Sequence, residues 1–252
     1  MSRLLGLITF LLFAVACSTD SPSDHSSNLK SVGDSANALL SDEQFTSMNI
    51  EIVYVDGYAP STAAINGFKK FLQERIYKPD GIKISMRAVP SSGKAPFDIH
   101  EIGDIEQKNR SVYNAGDEIA IFIYFADGSN EDDNAKKEVV LGSAFRNTSI
   151  VVYEKTIENF ASKPNAPSKS VLENAVLDHE FGHLFGLVDM GSEPQSDHLD
   201  TDPSHKGHCD VPGCLMRASL EFGTGVVDIT SDGSVPVLDA QCIADLRANG
   251  GK

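Results

Sequence analysis

The segment His179-Glu-Phe-Gly-His183 has the residue types and the spacing of a metal site. Residues four apart lie on the same face of an α-helix, so the two imidazoles would point at one ion. Glu180 follows the first imidazole and could reach a water molecule on that ion. In a buried helix, these three side chains would face large desolvation costs without a ligand. The pattern therefore predicts one zinc ion bound by His179 and His183, with Glu180 as general base.

The residues that follow this pentapeptide resemble the zinc-binding stretch of the metzincin metalloproteases. Gly186 stands where that family has a glycine that turns the chain after the helix. The later segment His208-Cys209-Asp-Val-Pro-Gly-Cys214-Leu-Met216 resembles archaemetzincins, in which the third histidine ligand precedes two cysteines and the methionine of the Met-turn. The resemblance implies a zinc-dependent endopeptidase that acts on peptides or proteins, one catalytic zinc ion, and Met216 packed beneath it.

Two residues compete for the role of third zinc ligand. Asp189 stands at the usual spacing after Gly186, and a carboxylate is a legitimate zinc ligand. His208 keeps the archaemetzincin context, but it requires residues 190–207 to loop out and return. We favour His208, because Cys209 and Met216 follow it in the expected register.

The inserted residues 190–207 add further groups that could bind a metal. These groups are Asp197, His198, Asp200, Asp202 and His205. A hydrated acidic loop is the commoner outcome for such a composition, so a single catalytic ion is expected, and a second ion in the insertion is the alternative.

The cysteines leave two arrangements open. A disulfide between Cys209 and Cys214 is plausible in an oxidising compartment. The archaemetzincin resemblance instead implies a second, structural zinc bound by four thiolates. If Cys17 is lipidated, Cys242 is the only thiol left besides Cys209 and Cys214. The structural zinc would then need a fourth ligand that is not a cysteine, for which His205 is a candidate.

The elements around the zinc-binding helix predict an α+β fold. Apolar and β-branched runs indicate strands at 49–56, 82–89, 118–125, 139–145 and 149–153. Apolar residues at helical spacing indicate helices at 61–76, 168–185 and 238–248, whereas 99–112 is ambiguous. We therefore expect a metzincin-like domain with a mixed twisted sheet, a central zinc-binding helix and a small irregular C-terminal subdomain. By the same resemblance, strand 139–145 would be the exposed edge that binds substrate.

The N-terminus predicts export. Residues 1–16 contain one basic residue, an apolar run and small residues before Cys17, which together are typical of a bacterial lipoprotein signal peptide. We expect Cys17 to be lipidated, which would anchor the protein to a membrane of the bacterial cell envelope. Residues 17–47 are rich in polar residues and predict a flexible tether. The domain would then span 48–252, divided into subdomains at 48–187 and 188–252.

Charge narrows the range of partners. A net charge of -15 makes nucleic acid a poor partner, because phosphate groups would repel the protein. We expect a monomer that binds peptide or protein substrates. The alternative function is a catalytically inert lipoprotein that binds zinc or peptides.

Overall fold

A five-stranded mixed sheet forms the centre of the computed structural model, which describes residues 25–134, 139–221 and 233–252. The strands are β1 Ser47–Val55, β2 Gly81–Val89, β3 Glu118–Phe125, β4 Gly142–Arg146 and β5 Ser149–Val152. The helices are α1 Ala36–Leu40, α2 Thr62–Arg75, α3 Ile99–Asn109, α4 Glu154–Ala161, α5 Lys169–Leu184, α6 Ala218–Glu221 and α7 Ala240–Ala248. Short 3-10 turns lie at Ser26–Asn28, Glu131–Asn134 and Pro203–His205.

The strands are arranged in the order β2-β1-β3-β5-β4. Neighbours are parallel except β4, which pairs antiparallel with β5 and lies at one edge of the sheet. The central strands β1 and β3 are buried along nearly their whole length, which explains their continuous apolar sequences. The predicted α+β class with a mixed sheet is therefore confirmed.

Helix α5 lies in the interior, as its apolar circumference predicts. Ser168 caps its first turn by accepting a hydrogen bond from the amide of Val171, and every residue from 172 to 184 is buried. Helix α2 packs against it, with the rings of Phe68 and Phe181 in edge contact at 5.1 Å between centroids. The helix is thus held rigidly, which suits a segment that positions reactive side chains.

The predicted tether is wrong for residues 25–46, which are folded against the domain. Leu39 and Leu40 of α1 are fully buried in the main hydrophobic core, and Phe45 is also buried. The polar residues that suggested flexibility make specific contacts instead: Asn28 is completely buried and donates to the Ala120 carbonyl and the Thr148 hydroxyl. Composition was misleading because these polar groups have fixed partners.

Four of the described helices, α1, α3, α4 and α6, were not predicted as helices. Helix α3 occupies the ambiguous segment, and a capping box formed by Asp98 and Glu101 begins it. Helix α4 follows β5 directly and places Ile157 in the core. The main hydrophobic core contains residues from both sides of the predicted subdomain boundary at position 188, such as Leu184 and Leu246. The division into two subdomains stays a prediction.

The predicted signal peptide and Cys17 lie outside the described residues. Among the helices that the structure describes, none has the length and apolar character needed to cross a membrane.

Candidate metal centre and cleft

Helix α5 presents His179, Glu180 and His183 close to its C-terminal end. The helix stops just beyond them because Gly186 adopts φ 74°, in the left-handed region, and its amide bonds the His183 carbonyl. An added Cβ at Gly186 would lie only 2.6 Å from the amide nitrogen of Ser192. The glycine therefore permits the sharp turn and the close return of the chain, as the sequence pattern predicts.

The insertion loops out and returns, and it brings His208 to the two helical histidines. Leu199 and Cys209 form a β-bridge, in which the amide of Asp200 bonds the His208 carbonyl at 2.8 Å. The ring centroids of His179, His183 and His208 then lie 4.8, 5.1 and 5.3 Å apart. We call these three residues the histidine cluster.

Asp189, the competing candidate, does not join this cluster. Its side chain is exposed, its backbone has φ 64°, and it lines a separate cavity with Leu199 and Asp202. Of the two alternatives, the structure brings only His208 to the helical imidazoles.

The histidine cluster fits a divalent metal ion. One ring nitrogen from each residue lies within 4.8 Å of the others, and all three side chains are buried. The Nε2 atoms of His179 and His183 are 3.1 Å apart. Zn–N bonds of about 2.0–2.1 Å in a tetrahedral site place two ligand nitrogens roughly 3.3 Å apart. The observed separation is close to that value.

Contacts on the far side of the rings fix their orientation. Nδ1 of His179 lies 2.7 Å from the Leu215 carbonyl, and Nδ1 of His208 lies 3.2 Å from the His205 carbonyl. A ring nitrogen that donates to a carbonyl leaves Nε2 as the lone-pair donor. Burial, and then the neighbouring imidazoles, lower the pKa of His183 well below its usual value. The cluster therefore favours the neutral imidazoles that a metal requires.

Glu180 faces the same cleft and is held by the edge strand. Its Oε2 atom accepts a hydrogen bond from the backbone amide of Ala144 in β4, at 2.8 Å. Gly142 lies close by, because a Cβ there would approach Glu180 Oε1 to 3.1 Å. The carboxylate, His183, His208 and the edge strand thus line one open cleft.

Met216 packs against the helix between the two helical histidines. A Cβ on Gly182 would lie 2.2 Å from the Met216 sulfur, so the absence of a side chain at 182 makes room for it. Met216 is fully buried, and its carbonyl accepts from the Cys209 amide at 2.8 Å. The methionine accordingly supports both α5 and the segment that carries His208.

A second group of potential ligands lies directly behind His208. Nδ1 of His198 is 3.4 Å from the Cys209 sulfur and 3.9 Å from the Cys242 sulfur, and the sulfurs of Cys214 and Cys242 are 3.7 Å apart. We call His198, Cys209, Cys214 and Cys242 the cysteine cluster. Asp239 also touches Cys209, but its other carboxylate oxygen caps α7 through the amides of Gln241 and Cys242.

The predicted disulfide between Cys209 and Cys214 is absent, since all three described cysteines are free. The thiols converge on one another instead, and hydrogen bonds from Cys209 and then from Cys242 lower the pKa of Cys214 to about 5. His205, suggested as a fourth ligand, is paired with Asp200 at 3.0 Å. His198 takes that place, and its Nε2 lies 2.7 Å from the buried carboxylate of Asp245.

Most acidic residues of the insertion face solvent, as a hydrated loop predicts. Asp197 and Asp202 are exposed, and Asp202 caps the 3-10 turn that follows it. In the sequence, His198 is only one of several possible ligands in the insertion. Its partner Asp245 lies 47 positions away, in α7, and no local spacing could have paired them.

Comparison of the whole chain with known proteins finds matches among solved structures only. No family model matches the chain, and no curated protein sequence matches it. Archaemetzincin from Methanopyrus kandleri is similar in structure, with a TM-score of 0.50 and 19% identity over 81% of this chain and 96% of that one. Metalloproteinase-II from Bacteroides fragilis aligns with a TM-score of 0.44 and 13% identity over 84% of this chain and 56% of that one. The first comparison shows that this chain has an archaemetzincin-like fold.

Proposed function

We propose that the protein is a zinc-dependent endopeptidase. One observation supports this most directly: His179, His183 and His208 converge in a buried triangle, while Glu180 faces the same open cleft. Three protein ligands leave a fourth position of a tetrahedral zinc site for water or substrate. The archaemetzincin-like fold agrees with the class of activity that the resemblance of the zinc-binding segment to metzincins implies.

Each residue of the cleft would have a distinct task. Zinc, when bound, supplies a Lewis acid that polarises a carbonyl and lowers the pKa of water. Glu180 would take a proton from the attacking water and carry it to the leaving amine. Its bond to the Ala144 amide holds the carboxylate beside the edge strand, so the proton acceptor is already oriented before substrate binds.

Strand β4 gives an extended peptide a place to bind. It is the edge strand of the sheet next to the cleft, and Ser143 and Ala144 line that cleft beside Glu180. An edge strand can pair with a peptide backbone irrespective of its side chains. This arrangement favours cleavage within a chain, where peptide extends on both sides of the scissile bond.

The decisive experiment compares Glu180→Gln with the wild-type protein on a broad peptide library. We expect the variant to lose activity by about 10²–10⁴-fold, because the general base is missing, and to keep its zinc. Glu74→Gln, on an exposed helix position, is the matched control and should cleave normally. A wild-type protein that is fully loaded with zinc and cleaves nothing would instead support the inert binding function.

We further propose that the cysteine cluster binds a second, structural zinc. Three thiolates and one imidazole form a recognised structural ligand set, and His198, Cys209 and Cys242 have ligand atoms within 4.8 Å of one another. Asp245 would orient His198, as carboxylates commonly do for zinc-bound histidines. Asp239 also has a ligand atom within 4.8 Å of these three, but it caps α7, so Cys214, whose sulfur lies 3.7 Å from that of Cys242, is the fourth ligand of this proposal.

We propose, finally, that the protein is exported and anchored at the bacterial cell envelope through Cys17. The support is the sequence alone: the apolar run and the small residues before Cys17. Full-length protein expressed in bacteria should partition with membranes and incorporate labelled palmitate, and Cys17→Ser should do neither. Equal membrane association of both proteins would contradict lipid anchoring at Cys17.

A further inference from the structure

Residues 25–35 run along the surface beside the cleft, and we call them the N-terminal strap. The strap is firmly attached at the turn between β4 and β5. The amide of Lys30 bonds the Asn147 side-chain carbonyl at 3.1 Å, and the Asn147 amide bonds the Lys30 carbonyl at 3.1 Å. Asn147 also donates to the Ser27 carbonyl at 2.8 Å and to the Ser35 hydroxyl at 2.7 Å. One buried asparagine therefore ties the strap to the end of the edge strand.

The other end of the strap is in contact with the loop after the zinc-binding helix. Gly33 has φ 83°, and a Cβ at this position would lie 1.5 Å from the Met190 carbonyl oxygen. Gly191 also lies against the Gly33 backbone, since its own Cβ would lie 2.7 Å from the Gly33 carbonyl oxygen. Two glycines are required for this backbone contact, which fixes the strap to the first residues of the insertion.

These two attachments place Val32 in the cleft. Val32 and Met190 line it together with Glu180, His183 and His208, and strand β4 lies beside them. Both apolar side chains are partly buried, so each still presents surface to the cleft. A substrate side chain next to the reacting bond would meet this apolar surface.

We propose that the N-terminal strap is part of the substrate-binding cleft and that Val32, together with Met190, selects a medium-sized apolar side chain next to the scissile bond. The inference rests on the proposed peptidase function. Its physical basis is that the Val32 and Met190 side chains offer apolar contact area to a matching side chain, whereas a charged side chain placed against them would lose hydration. Lys206 also lines the cleft, so a preference for acidic side chains over apolar ones in the cleavage profile would contradict the inference.

The test is the cleavage profile of Val32→Ala on a peptide library that varies the residues flanking the cut. One to two methylenes in an apolar pocket change kcat/KM ratios by roughly 10–200-fold. We expect the ratio between Phe and Val substrates to rise about tenfold or more, because the smaller alanine widens the cleft. Leu29→Ala is the matched control: Leu29 lies on the same strap but is exposed and lines a different cavity, with Tyr113 and Arg146.

A second variant tests the attachment itself. Gly33→Ala should release the strap from Met190, so amide hydrogen exchange of residues 25–35 should accelerate and selectivity should relax as in Val32→Ala. Unchanged cleavage profiles in both variants would overturn the inference, as would a profile that Leu29→Ala alters equally.

Binding separates this inference from the proposed function. Zinc-loaded Glu180→Gln and its double variant with Val32→Ala would be titrated with peptide hydroxamates that bear Ala, Val or Phe beside the zinc-binding group. If the wild type cleaves no peptide but Val32 still controls hydroxamate preference, the peptidase proposal fails and the strap inference stands. Absence of both cleavage and Val32-dependent binding would overturn both.

Discussion

His208 and Cys209 are adjacent in the chain, yet their side chains enter two different clusters. His208 completes the histidine cluster, which opens onto the cleft beside Glu180. Cys209 joins the cysteine cluster, whose His198, Cys214 and Cys242 side chains are all buried. An open ligand set leaves a coordination position for chemistry, and a closed set of four protein ligands does not.

The two clusters also differ in how the chain assembles them. Two of the three histidines lie one turn apart on a single helix, so α5 alone positions most of the site. The cysteine cluster draws its members from the insertion, from the segment around Met216 and from helix α7. In the proposed function, the first cluster performs the reaction and the second holds the segments that deliver His208.

The largest expected effect concerns the third ligand of the histidine cluster. His208→Ala should abolish peptide cleavage and lower zinc affinity at this site by 10³-fold or more, because one of three protein ligands is lost. Asp189→Ala is the matched control, since Asp189 is exposed and lies away from the imidazoles. Zinc titration against a competing chelator measures both variants. Loss of zinc binding in Asp189→Ala with retention in His208→Ala would reverse the assignment.

The next largest effect concerns stability and the cysteine cluster. Wild-type protein should contain two zinc ions, and Cys242→Ser should contain one. We expect the free energy of unfolding to fall by roughly 3–5 kcal/mol, because the second ion would connect three separate segments. Metal analysis and denaturant unfolding measure these quantities. His183→Ala, by contrast, should lose the other ion at a smaller cost in stability, since α5 remains packed.

Two further variants sharpen that comparison. Asp245→Asn should weaken the second zinc by about 10–100-fold, because the carboxylate that orients His198 is gone. His205→Ala, in the same insertion but paired with Asp200, should leave the zinc content unchanged. A wild-type protein with only one bound zinc, unaffected by Cys242→Ser, would contradict the proposed second site.

The sequence alone was sufficient to predict those elements and site residues that are specified by local patterns. Continuous apolar runs predicted β1 and β3, and helical spacing predicted α5 with its two histidines on one face. His208 was favoured over Asp189 from the residues behind it, and the structure places it beside His179. In each case the sequence signal that decided the prediction lies within one element or a few positions.

The sequence alone was insufficient to predict those regions whose structure depends on partners that are distant in the chain. Residues 25–46 appeared flexible because their composition is polar, yet Asn28 bonds residues 92 and 120 positions away. His198 pairs with Asp245 and the cysteines only once the insertion has folded back. Helix α3 is different, because its capping box from Asp98 to Glu101 was a local signal that the ambiguous apolar pattern concealed.

The buried carboxyl group of Glu154 differs from both clusters, because it is accommodated in the core without a metal. Glu154 is fully buried, and burial followed by the charge of Glu173 raises its pKa to about 9. Lys169 lies 2.7 Å from Glu154 and 3.4 Å from Glu173. Ser61 donates hydrogen bonds to the Glu173 carboxylate through both its amide and its hydroxyl. Glu154 therefore keeps its proton at neutral pH, whereas the histidine cluster is suited to a metal ion.

Glu154→Gln should produce the smallest effect, one visible mainly in its pH dependence. Because the pKa of Glu154 is raised on folding, the unfolded chain releases this proton near pH 4.5 while the folded protein keeps it until about pH 9. Wild-type stability should therefore decline as pH rises between these values, and glutamine should remove that decline. We expect the variant to gain about 1–3 kcal/mol relative to wild type between pH 5 and pH 8, measured by urea unfolding. Glu158→Gln, which contacts the same lysine from a partly exposed position, should follow the wild-type slope. Parallel curves for Glu154→Gln and wild type would mean that Glu154 is already ionised in the folded protein, with Lys169 as its counter-ion.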